Sequence, residues 1–143
     1  MLALSATFTI VAGACSNNAK SPVVSLEPDS IGVCLQFDKD HGPEITDLPT
    51  VDCAESHSHE IIAIPESTAK VYPGFEALET EAQAACLAAF EDYVGTNPFD
   101  SDLFTSWLVP TLTSWEGKDR QIVCVVGNGN GAPLVGTVHQ SAL

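Results

Sequence analysis

The chain has 143 residues, 45% hydrophobic and 17% charged, with five Lys and Arg against nineteen Asp and Glu for a net charge of −14 at pH 7. That is enough for one domain with its own core and too little for an enzyme built of separate cofactor and substrate lobes. The acidic balance repels phosphate and so excludes nucleic acid and electrostatic adhesion to anionic lipid, while the apolar fraction excludes intrinsic disorder.

Residues 1–14 carry no charge, are largely apolar, and end in Ala12-Gly13-Ala14 before Cys15. The run is too short to span a bilayer as a helix, but it has the length of a signal-peptide apolar region closed by small residues. Ala12-Gly13-Ala14-Cys15 resembles the bacterial lipobox, which implies cleavage before Cys15 and acylation of its sulfur, although no Lys or Arg precedes the run. The expected layout is a lipoprotein signal peptide over 1–14, the lipidated Cys15 and a polar tether over 15–25, and a folded domain over 26–143. The domain is expected on the outer face of the cell membrane, anchored through Cys15.

Disulfides persist in that compartment. With Cys15 set aside, Cys34, Cys53, Cys86 and Cys124 remain, and four cysteines allow three pairings. The expected pairing is Cys34 with Cys124 and Cys53 with Cys86, because first and last core strands often neighbour and a helix has to be clamped to the sheet. Zinc is the rival use for these thiols, but no two of them stand at Cys-x-x-Cys spacing.

Ile31 to Phe37 reads as a strand entering the core, bounded by Asp29-Ser30 and by the acidic, turn-like stretch Asp38 to Pro43. A second extended piece is expected over Glu44 to Cys53, confined to an edge by Pro49, and a third strand over Glu60 to Ile64, stopped by Pro65. Phe75, Leu78, Ala82, Cys86, Ala89 and Tyr93 recur at steps of three and four, predicting a helix of about five turns between Pro73 and Gly95 with Cys86 on its buried face. Glu76, Glu79 and Glu81 suit the positive end of its dipole. Thr96 to Leu112 reads as irregular, its Phe99, Phe104, Trp107 and Leu108 covering an edge of the core. Gln121 to Val126 and Leu134 to Val138 read as strands, joined in a hairpin by Gly127-Asn128-Gly129-Asn130-Gly131. The fold class expected is α+β: a small antiparallel sheet with one long helix packed across it, stapled by two disulfides.

Few of these residues point to chemistry. The Gly127-x-Gly129-x-Gly131 spacing lacks the helix that a dinucleotide fingerprint opens, since Pro133 and an extended run follow. His57 and His59 alternate as in an extended chain, so both imidazoles could face one metal, with Asp52 or Glu55 adding an oxygen and His41 or His139 a further ligand. The plainer reading is a polar turn in which His57 hydrogen-bonds adjacent backbone. No Gly-x-Ser-x-Gly elbow is present, and pairs such as Glu91-Asp92 or Asp100 and Asp102 signify little in so acidic a chain. Trp115 to Arg120 holds the one arginine, read as an ion pair or turn clamp with Gly117 making the bend. Trp115 and Arg120, with Phe99 and Trp107, are also the candidate binding surface.

Several segments carry a family resemblance. Ile31-Gly32-Val33-Cys34-Leu35, Val51-Asp52-Cys53-Ala54-Glu55-Ser56-His57-Ser58-His59-Glu60-Ile61, Tyr72-Pro73-Gly74 before the Cys86 helix, and Trp115-Glu116-Gly117-Lys118-Asp119-Arg120-Gln121-Ile122-Val123-Cys124 follow in that order. Together they resemble the septum formation domain family, over residues 26–143. Val33 stands where the family has Asp, and Ser56 where it has Pro. The resemblance implies an extracytoplasmic domain of high-GC Gram-positive bacteria connected with cell division or envelope growth, and it brings no catalytic residues. The function expected is a lipid-anchored, non-catalytic binding or scaffolding module with an envelope or division protein as partner and no cofactor. The alternatives are a cell-wall-acting enzyme and extracytoplasmic metal capture by His57 and His59.

Overall fold

The computed structural model describes residues 26–37 and 48–143. The signal peptide, Cys15, the tether, the acidic stretch with His41 and the start of the second extended piece lie outside the described residues. Among the described residues, five strands form one antiparallel sheet: β1 (Cys34–Leu35), β2 (Thr50–Val51), β3 (His59–Ala63), β4 (Leu103–Leu108) and β5 (Val123–Asn128), in the order β2-β1-β3-β5-β4. Helix α1 (Phe75–Val94) leaves β3 and packs against β3, β4 and β5, and the short α2 (Leu112–Glu116) links β4 to β5. The α+β class, the single long helix and its end at Gly95 agree with the sequence reading.

Period-two alternation divides the sheet between two apolar layers. Ile62, Cys124 and Val126 face α1, whose Leu78, Ala82, Cys86, Phe90 and Val94 are buried at steps of four. Leu35, Ile61, Val123 and Val125 face the other way, against Leu26, Val33, Phe37, Leu48, Ile64 and Leu108. The buried stripe of α1 is rotated slightly from the predicted one, leaving Phe75 61% exposed. Glu81, near the middle of α1, accepts from Ser67 Oγ (2.6 Å) and Thr68 N (3.1 Å), which ties the helix to the segment that leads into it.

Three expectations need correction. First, the disulfides are Cys34–Cys53 and Cys86–Cys124, each with Cα atoms 5.3 Å apart. Cys34 lies opposite Val51, so two residues more bring Cys53 beside it, whereas Cys124 is on the interior strand β5, beneath the helix face that carries Cys86. The clamp between helix and sheet exists, but β5 provides it. Second, Leu103–Leu108, read as irregular, is a full strand along the edge of β5. Third, Leu134 to Val138 is not a strand: β5 already has β3 on one side and β4 on the other, so no edge is left for a hairpin partner. Leu134 instead makes an isolated antiparallel bridge to His57, and the Gly-Asn turn carries the chain across the end of the sheet.

Candidate functional site

Glu60 is the second residue of β3, and Cys34 is its direct partner across the β1–β3 ladder. Both side chains therefore project toward α1, and both are buried. A buried carboxylate requires donors to replace water. Glu60 has three: Tyr93 Oη from the last turn of α1 (2.6 Å) and Thr137 Oγ1 (2.6 Å) donate to Oε1, and the Val138 amide (2.8 Å) donates to Oε2. None of the three is a cation. One carboxylate thus holds β3, α1 and the C-terminal segment together. Gly32, at φ +90°, lets the chain pass close to this point, since a Cβ there would sit 3.3 Å from Tyr93 Oη. Burial, then the hydrogen bond to Glu60 and its negative charge, push the Tyr93 phenol from 10.0 up to about 12. The His139 ring packs edgewise on Tyr93, with centroids 4.8 Å apart.

His57 completes the cluster. Its backbone pairs with Leu134 in both directions (3.0 and 2.8 Å), which seats the C-terminal segment over it and leaves the side chain 0% exposed. Nδ1 lies 2.8 Å from the Glu55 carbonyl oxygen, which can only accept, so Nδ1 carries the proton and Nε2 presents a lone pair. That Nε2 is buried and makes no hydrogen bond among the described residues. The ligand atoms of Cys34, His57 and Glu60 all lie within 4.8 Å of one another. His57 therefore has the backbone hydrogen bond that the plainer sequence reading gave it, and a vacant lone pair besides.

His59 does not share this cluster. A bend at Ser58 breaks the alternation between the two histidines, and the His59 ring lies on the opposite layer between Phe37 (centroids 5.3 Å) and Phe104 (6.3 Å), with Nδ1 2.9 Å from Ser58 Oγ. It covers Gly127, where a Cβ would come within 3.0 Å of its Cδ2, so the first glycine of the Gly-Asn run makes room for a ring. Asp52 and Glu55 are spent locally: the Asp52 carboxylate accepts from Ala54 N, and Glu55 contributes its backbone carbonyl to His57.

The four residues of the candidate binding surface fall in three settings, with only Trp115 and Arg120 brought together. Trp115 is 5% exposed, packed edgewise against Tyr72, with the Arg120 guanidinium 3.7 Å above its ring. Arg120 also donates to the carbonyls of Trp115 (2.8 Å) and Asp119 (2.6 Å), while the Asp119 carboxylate accepts from Gln121 N. It is a turn clamp fixing α2 to β5, made through backbone and not through the Asp119 side chain. Trp107 is half-buried against the helix layer, and only Phe99 stands free at 83% exposure. Sequence reasoning passed over Tyr93, Thr137 and the buried state of Glu60. The available signal was one acid opening the apolar run Ile61-Ile62-Ala63-Ile64, with no Lys or Arg near it in sequence.

The family model described as septum formation matches residues 10–124. This chain belongs to the septum formation family. The matched span contains all four bridged cysteines, His57, Glu60 and Tyr93 of this septum formation domain, whereas Thr137 and Val138, which close over Glu60, lie beyond it. No curated protein and no solved structure matches the chain. Among the described residues, no helix is long and apolar enough to cross a membrane.

Proposed function

We propose that this septum formation domain works outside the cytoplasmic membrane, tethered through an acylated Cys15, as a non-catalytic module that holds a partner protein during cell division or envelope growth. Membership of the septum formation family supports the link to cell division, and the lipobox-like Ala12-Gly13-Ala14-Cys15 supports the tether. The two closed bridges suit an oxidising compartment. The polar cluster favours a scaffold over a catalyst: Glu60 and His57 are both fully buried, and the Glu60 carboxylate is held by three donors from its own fold. General acid–base catalysis needs such groups within reach of a substrate proton.

The test is imaging of the full-length protein in growing host cells, fused at its C-terminus to an export-competent fluorophore, beside a Cys15→Ala variant. Membrane signal gathered at division sites and lost in the variant is the expected result. Signal spread evenly over the envelope would retain the anchor and remove the division role. Diffuse cytoplasmic signal in both would overturn the whole reading.

A further inference from the structure

We propose that Cys34, His57 and Glu60 form a thiol-gated site for a zinc-like divalent cation, closed while Cys34 is bridged to Cys53 and open when that bridge is reduced. Three observations meet here. The His57 ring is oriented as a ligating histidine is, with Nδ1–H fixed on a backbone carbonyl and the Nε2 lone pair free, buried and unpartnered. The carboxylate of Glu60 retains coordinating capacity, because among the described residues Oε2 accepts only the Val138 amide and has a second lone pair, while the donors on Oε1 hold the group in place as an outer shell does. The third atom is the Cys34 sulfur, within 4.8 Å of the other two.

In the bridged state that sulfur is a poor donor, and a nitrogen with one carboxylate oxygen is too small a set to retain a cation. Opening the bridge takes two electrons and two protons from a dithiol, which departs as its own disulfide. Cys34 then offers a thiolate, losing its proton as the metal binds, and Cys53, its former bond partner, is at hand as a fourth ligand. Two sulfurs, one imidazole and one carboxylate make a tetrahedral set of the kind zinc takes. Exchange with a small-molecule disulfide, which takes up the two electrons and departs as two thiols, re-forms the Cys34–Cys53 bridge, removes both sulfurs from the ion and releases it. Cys53 is half-buried whereas Cys86 and Cys124 are fully buried, so this bridge is the one a dithiol reaches first.

The experiment uses the full chain carrying Cys15→Ser, so that no other thiol competes. Adding Cys53→Ala frees Cys34 without any reductant and leaves Cys86–Cys124 closed. Titrated with Co²⁺ and then Zn²⁺ in the absence of air, this protein should bind one equivalent with Kd at or below about 1 µM, giving the visible absorption of tetrahedral, thiolate-bound cobalt. His57→Leu or Glu60→Gln should each weaken binding at least about tenfold, and the bridged parent should show none of this absorption. A folded Cys53→Ala protein that takes up cobalt no more tightly than Cys34→Ala/Cys53→Ala would overturn the proposal, as would affinity unchanged by His57→Leu. If Cys53→Ala lacks the helical circular dichroism of the parent, the decisive measurement is alkylation of the mildly reduced parent, read by mass spectrometry. Zinc should slow reaction at Cys34, and equal rates with and without zinc would overturn the site.

Discussion

Replacing Glu60 with Gln keeps the shape of the side chain and removes its charge, and so isolates what the carboxylate contributes. Its bonds to Tyr93, Thr137 and Val138 are charge-assisted and buried, and an amide nitrogen placed among three donors leaves at least one of them unsatisfied. Glu60→Gln is expected to lower unfolding free energy by about 2–4 kcal/mol, seen as a lower urea midpoint with little change in slope. The same contact gives a pH signature. Below pH 10 the Tyr93 phenol is protonated in both folded and unfolded chains. Between 10 and about 12 the unfolded chain ionises first, so stability falls as pH rises through that window. Urea midpoints measured across it should decline, and Tyr93→Phe should flatten that part of the curve. None of this can be read from Glu60's neighbours in sequence, since two of its donors stand 77 and 78 residues away. The tautomer of His57 depends likewise on a turn that brings Glu55 back on itself.

The longest element ties its stability to one crosslink. In the chain-entropy description, the Cys86–Cys124 bridge, spanning 38 residues, restricts the unfolded chain by about 4 kcal/mol, and Cys34–Cys53, spanning 19, by about 3 kcal/mol. Cys86→Ala/Cys124→Ala should therefore lose roughly 4 kcal/mol or more, the two thiols' packing against Phe90 and Val126 adding to the loss; urea unfolding followed by helical circular dichroism measures it. Helix α1 is legible in the sequence because its repeat continues for twenty residues between Gly74 and Gly95. Strand β4 is not, because Pro98, Asp100 and Asp102 crowd its entry and mask the alternation of Leu103, Thr105 and Trp107 toward the helix. The disulfide partners were hidden for a similar reason: the pairing follows from the β1–β2 register, which rests on strands of only two residues. Leu134 to Val138 has the composition of a strand, and what denies it that state is the occupancy of both edges of β5.

At the scale of the whole molecule, the charge of −14 sets the energetics. Like charges at this density oppose the compact state, and salt relieves them. Raising NaCl to 0.5 M shortens the screening length to about 4 Å and should raise the melting temperature by several degrees; an unchanged or lower value would mean that the acids stand too far apart to repel one another appreciably in the folded state. The two bridges also bear on how the fold is reached. With Cys15 set aside, they join each remaining cysteine to the next in sequence, Cys34 to Cys53 and Cys86 to Cys124, so the closed loops follow one another along the chain and never interlock. Under the export and the Cys15 acylation proposed above, Cys34 and Cys53 emerge together before Cys86. An oxidant that couples thiols simply in their order of emergence would then build the native bridges directly, with no isomerase needed to correct them.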